Sequence, residues 1–299
     1  MMVEKSAITH VGQQLLRMVA YFDVFEHPLR YTELEQLTSH PRAMVESLVA
    51  KHPELFEHNS DYVWLRGTSP DWEAITQKRA RATVEWPRAL KHGAQLARLP
   101  FVKGVFLTGS MSKGAISEDS DFDFLLIVET HRVWLVKSII EAFRKAMPQP
   151  WRECYCANYI VGLDALTLHH QNVFTAVELS TAIPLYGAEA CQAFVGANAW
   201  AAQFVANQKF VMERASIVPS MPIRSSSNGL LGALDSQSQR IWNRYWERKY
   251  KHLPDAVRAK RFRRERGKAA NHLHDFQDRV IEAVDQRLQR FGHPETLIL

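Results

Sequence analysis

Apolar positions in the first seventy residues recur at helical spacing in three short runs and then alternate. Leu15, Leu16, Val19, Phe22 and Phe25 form the first run, stopped by His27-Pro28. A second short helix fits Thr32 to Leu37 with Thr32 as its N-cap. A third follows Ser39-His40-Pro41 through Met44, Val45, Leu48 and Val49, with Pro41 suited to a first turn. Leu55 to His58 and Tyr62 to Leu65 then flank Asn59-Ser60-Asp61, a hairpin signal. Three helices and a hairpin predict a winged helix-turn-helix over 1–70.

The next hundred residues read as helix and strand in turn. Trp72 to Leu99 keeps a helical period, with Pro87 as a kink and Pro100 as its end. Val105, Phe106 and Leu107 run into Thr108-Gly109-Ser110, which predicts a buried strand entering a tight turn that opens a helix. From Phe122 a second buried strand runs to Val128, with Asp121 and Asp123 at its start. An amphipathic helix spans His131 to Met147, closed by Pro148-Gln149-Pro150, and a third strand covers Tyr155 to Gly162. Asn172 to Thr181 reads as helix, as does Ala188 to Val218. Pro219 to Gly232 reads as a linker. Helix is expected again from about Asp235, broken at Pro254 and resumed over Ala256 to Leu288. The pattern predicts an α+β fold. A small mixed-sheet core with its leading helix occupies 71–190, behind the winged unit and ahead of a C-terminal helical region over 191–299.

Composition narrows the class. At 299 residues and 46% apolar, the chain can bury a core. No stretch of eighteen uncharged apolar residues is present and the N-terminus lacks a secretory pattern, so a soluble cytoplasmic protein without a membrane partner is expected. Cys154, Cys156 and Cys191 are too few for a disulfide framework and lack zinc spacing. The net charge of +5 is local: residues 240–268 carry twelve Lys and Arg against three acids, or +9, which leaves about −4 elsewhere. That segment suits an acidic partner such as nucleic acid or nucleotide phosphates. Its stripe of Ile241 and the aromatic Trp242, Tyr245, Trp246 and Tyr250, with their basic neighbours, fits either a core or a stacking surface; helical spacing favours the core.

The chemistry concentrates between Val105 and Val128. Two carboxylates two apart on a strand share a face, and oxygen-only donors suit Mg²⁺ or Mn²⁺ completed by phosphate oxygens. Gly109 would let backbone approach a phosphate; Ser110 and the free N–H groups after it would hydrogen-bond the phosphate, and Lys113 would add positive charge. Gly109-Ser110, Lys113-Gly114 and Ser120-Asp121-Phe122-Asp123, in this order between two strands, resemble the signature of the polymerase-beta-type nucleotidyltransferase superfamily, bacterial minimal nucleotidyltransferases in particular. The resemblance implies transfer of a nucleoside monophosphate from an ATP-like triphosphate to an acceptor, nucleic acid or protein. Asp121 and Asp123 would be catalytic and metal-binding, and Gly109, Ser110, Lys113 and Ser120 would hold the nucleotide. It also implies a third acid on the third strand. Asn158 stands there, a neutral metal ligand at best, with Glu153, Asp164 and, more remotely, Glu178 as substitutes. That departure keeps a second reading open, a non-catalytic nucleotide sensor or DNA-binding regulator. His169-His170 is expected to be a loop pair rather than a metal site.

Overall fold

The computed structural model describes residues 9–118, 120–146, 156–207, 229–255, 262–263, 265–271, 274–294 and 297–298. Three helices and a three-stranded sheet open the chain: α1 (His10–Asp23), β1 (Leu29–Arg30), α2 (Tyr31–Thr38), α3 (Arg42–Lys51), β2 (Phe56–His58) and β3 (Tyr62–Leu65). The sheet order is β1-β3-β2, antiparallel throughout. The expected helices and hairpin are there, and β1 is an addition the polar-apolar pattern is too short to show. The N-cap of α2 is Arg30 rather than Thr32, with the Glu33 carboxylate accepting from the Arg30 N–H at 2.8 Å.

A 26-residue helix, α4 (Trp72–Ala97), leads into the second unit. The Asp71 carboxylate caps it by accepting from the Ala74 N–H. Then come β4 (Val102–Thr108), α5 (Gly109–Ser112), β5 (Asp123–Val128), α6 (Val133–Ala146), β6 (Cys156–Gly162), α7 (Val173–Thr181), β7 (Ile183–Tyr186) and α8 (Ala188–Ala197). A 3-10 turn at Ala199–Gln203 ends the helix expected to run to Val218; residues 208–218 lie outside the described residues. Of the expected linker, 219–228 also lies outside them, and its end is already helical in the Gly229–Lys249 helix.

The C-terminal region departs from the all-helical expectation. Strands β8 (Phe262–Arg263) and β9 (Lys268–Asn271) precede the His274–Arg290 helix and enlarge the central sheet, whose order is β7-β4-β5-β6-β9-β8. Among the described strands only β5 and β6 run parallel; β9 pairs antiparallel with the outer edge of β6. The physical reason is the open edge of β6, whose backbone groups need partners that a helix cannot give.

Alternation along the strands divides the core into two layers. Phe106, Ile127 and Val161 face one side and pack with α7, α8, the N-terminal unit and the His274–Arg290 helix. Val105, Leu107, Phe124, Leu126 and Val128 face the other and pack with α4, α6 and Trp246. The N-terminal unit is tied to the first layer through Val280, Val284 and Leu288, with Arg287 Nε donating to Asp23 at 2.7 Å. In the Gly229–Lys249 helix the expected aromatic core is half realised. Trp246 is buried and lies edge-on to Trp134, while Ile241 and Tyr245 are 58% and 48% exposed.

Trp134 joins the C-terminal segment to the sheet, being fully buried with its indole N–H donating to the Glu265 carbonyl at 3.0 Å. Trp134→Ala is expected to cost about 3–5 kcal/mol, read as a lower midpoint in urea unfolding with an unchanged slope.

Candidate nucleotide site

The site forms where β4 ends and β5 begins. Thr108 pairs with Asp123 across the antiparallel ladder, and the Thr108 hydroxyl donates to the Asp123 carbonyl at 3.2 Å. Gly109 then turns with φ +67°, where a Cβ would collide with the Asp123 carboxylate. Glycine is therefore required twice at one position, for backbone conformation and for space. The turn itself is a single four-residue helix, α5, so the expected helix opening is short.

Asp123 is the first residue of β5 and shares the face of Leu125 and Ile127, toward α7. Asp121 does not stand on the strand. It lies exposed in the preceding loop, because buried Phe122 anchors that loop against α4, close to His92 and Arg88. The two acids are therefore brought together by the loop and not by strand periodicity. Their proximity shows in the electrostatics. Burial, then the charges of Asp121 and Glu178, push the Asp123 carboxyl up to about 7, against the pull of Lys113 and the Asn158 hydrogen bond.

Asn158 reaches Asp123 through an irregularity in β6. Ala157 pairs with Phe124 and Tyr159 with Leu125, so Asn158 is an extra residue on its strand. A bulge of that kind re-aims a side chain that alternation would send elsewhere. Its amide N–H donates to Asp123 Oδ1. In this arrangement the Asn158 amide N–H props the carboxylate.

Lys113 sits across the turn from these acids. Its Nζ pairs with both Glu178 oxygens at 2.8 and 2.9 Å and donates to the Gly109 carbonyl at 3.1 Å. The buried Tyr21 hydroxyl, from α1, also donates to Glu178 at 3.4 Å. A continuous polar chain thus runs from the N-terminal unit to the Gly109 turn. Ser110 lies on α5 beside Gly109, whereas the Ser120 hydroxyl is engaged in its own loop, accepting from the Ser117 N–H at 3.1 Å.

Other expected candidates lie apart. Asp164 pairs with His131 at 3.2 Å and Glu153 falls outside the described residues. His169 pairs with Glu265 at 2.9 Å, in a loop as expected. Among the described residues no three His, Cys, Asp or Glu side chains gather to hold a metal ion. The donor set is two carboxylates, one half-buried and charge-crowded. Such a set fits a hard divalent cation whose remaining ligands are phosphate oxygens, and it would not serve as a closed protein cage. Glu178, the more remote substitute for the third acid, is the one whose charge acts on Asp123; its hydrogen bonds to Lys113 and Tyr21 are what sequence reasoning missed. One signal was available: Glu178 is the only acid in the otherwise uncharged stretch Val173–Thr181.

A family model described as a nucleotidyltransferase domain matches residues 93–165. This segment is similar to that domain. The match runs from the end of α4 past β6, so it contains Gly109, Ser110, Lys113, Asp121, Asp123 and Asn158 and leaves out Tyr21 and Glu178. It supports nucleotidyl transfer in general, with a nucleotide as substrate. No curated protein and no solved structure matches the chain. No helix among the described residues is long and apolar enough to cross a membrane.

The raised carboxyl has a pH signature. The unfolded chain ionises Asp123 near 3.8 and the folded chain near 7, so its contribution to stability is full below about 4 and is lost as pH rises through 7. In EDTA, Asp123→Asn should exceed the wild-type melting temperature only slightly near pH 4.5 and most at pH 8. Each kcal/mol gained shifts melting by roughly 2–4 °C. Differential scanning fluorimetry across pH 4.5–8 checks this, and equal curves at pH 8 would count against the crowded carboxylate.

Proposed function

We propose that the chain is a Mg²⁺-dependent (or Mn²⁺-dependent) nucleotidyltransferase that moves a nucleoside monophosphate from a nucleoside triphosphate such as ATP to an acceptor hydroxyl. The observation that carries the reading is Asp123 held against the Gly109 turn, where burial and then the charges of Asp121 and Glu178 raise its carboxyl and so favour a cation. When bound with the triphosphate, the metal would neutralise phosphate charge and polarise the phosphorus under attack. Asp123, fixed by the Asn158 amide and the Gly109 turn, and Asp121, carried by its loop, would hold it. Gly109 leaves room for a phosphate against the backbone, and the Ser110 hydroxyl can donate to a phosphate oxygen. Lys113, paired with Glu178, would also reach the phosphates on its flexible stem. Ser120 serves the site through the loop that carries Asp121.

The N-terminal unit has the element order of a winged helix, and we assign it to 1–70, the transferase core to 71–190 and the remainder to a C-terminal region. A packing role for the winged unit suits it better than DNA contact. In α3, Arg42 is occupied by Glu46 at 2.7 Å and by the Ser60 carbonyl, and it lies over the Tyr31 ring. A second reading, nucleotide sensing without turnover in the cytoplasm, draws on Asn158, which replaces the expected third acid.

Both readings meet in one assay. With Mg²⁺ and each of ATP, GTP, CTP and UTP, transferase activity should release pyrophosphate. Asp121→Ala and Asp123→Ala should each reduce it by at least ~100-fold, and Ser110→Ala by roughly tenfold, the worth of one charge-assisted hydrogen bond. Full release by Asp121→Ala refutes the transferase reading; triphosphate binding without release supports the sensor.

A further inference from the structure

We infer that the cavity between α2, α4 and the Met111–Gly114 turn is a second binding site, for a small molecule that joins an anionic group to a flat apolar ring. The cavity measures about 430 Å³, within the range of small-ligand sites. It is separate from the carboxylates: Gly109, Ser110, Asp121 and Asp123 take no part in its walls. The inference does not rest on the transferase reading.

Its walls are of two kinds. Phe22, Leu37, Ala82 and Trp86 supply apolar surface, with Trp86 offering an indole ring from α4. Arg30, Arg79 and Lys113 supply three cations against one carboxylate, Glu33. His27 also lines the cavity and adds no charge at neutral pH, since burial lowers its pKa to about 4. Glu33 offsets Arg79 and Glu178, from outside the lining, offsets Lys113, so Arg30 is left as one uncompensated cation, which suits an anion of the phosphomonoester kind.

Arg79 shows that the polar wall is built and not incidental. Its side chain is only 10% exposed, and Glu33 grips it through two parallel bonds of 2.8 and 3.0 Å. The same guanidinium reaches His27 Nε2 at 3.2 Å and the Pro28 carbonyl at 3.3 Å. Its Nε remains buried without a hydrogen-bond partner, a cost that an oxygen of the occupant would remove. Lys113 is the wall shared with the nucleotide site, since it also holds Glu178 and the Gly109 carbonyl. An anion in the cavity and Glu178 therefore compete for one ammonium group. That is how occupancy would be felt at the Gly109 turn.

The test uses the full chain in EDTA without triphosphate, so its outcome is independent of pyrophosphate release. AMP serves as the ring-bearing anion, adenosine as the ring alone and inorganic phosphate as the anion alone, each titrated by calorimetry. AMP should bind with a Kd of about 0.1–1 mM, and adenosine and phosphate at least tenfold more weakly. Thr83→Trp, at an exposed lining position of α4, should fill the cavity and weaken AMP at least tenfold; Trp86→Ala should do the same by removing the ring. Thr83→Trp decides the matter if the Trp86 variant fails to fold. No AMP binding, adenosine binding as tightly as AMP, or AMP binding undisturbed by Thr83→Trp would overturn the inference.

Discussion

A carboxylate held against a glycine turn, with other negative charge beside it, is the constraint on which the site depends. Asp123 is fixed on three sides, by the β4 ladder through Thr108, by the missing Cβ of Gly109 and by the Asn158 amide. Asp121 and Glu178 then add charge of the same sign, against the opposing charge of Lys113. Burying a charge in such company is unfavourable unless a cation completes the site. The fold tolerates this because the position is over-determined by the sheet around it, as strained functional positions generally are.

The same geometry explains why the N-terminal unit belongs to the site and is not an appendage. Tyr21 lies in α1 and Glu178 in α7, yet they share a hydrogen bond, and Glu178 in turn sets where Lys113 rests. The first core layer runs without a break from Leu15 and Leu16 to Phe106 and Ile127. On the other side, α4 pins the loop that carries Asp121: the Ile116 N–H donates to the Lys78 carbonyl, and Phe122 is buried. Both layers therefore meet at the mouth of β4 and β5.

Much of this was legible in the residues. The runs before Gly109 and after Asp123 announce buried strands, since only continuous apolar sequence can lie between two packed layers. The turn at Gly109, the strand start at Asp123 and the helices around them follow from the same logic. What escaped was whatever depends on distant partners. Lys268–Asn271 has no strand signature of its own and becomes β9 because β6 offers an edge. The role of Asn158 depends on a bulge, which no period of two predicts. Glu178 and Tyr21 meet Lys113 only after three elements fold together, and the placement of Asp121 by a loop rather than a strand follows from Phe122 burying itself under α4.

The most direct test of the charge-crowded site is the ionisation of Asp123 itself, followed by carbon NMR of its carboxyl group in EDTA and again with Mg²⁺ and a non-hydrolysable triphosphate. The expected result is a midpoint near 7 in EDTA that falls when metal and triphosphate are added. A midpoint near the ordinary 3.8 in EDTA, unmoved by metal, would contradict it.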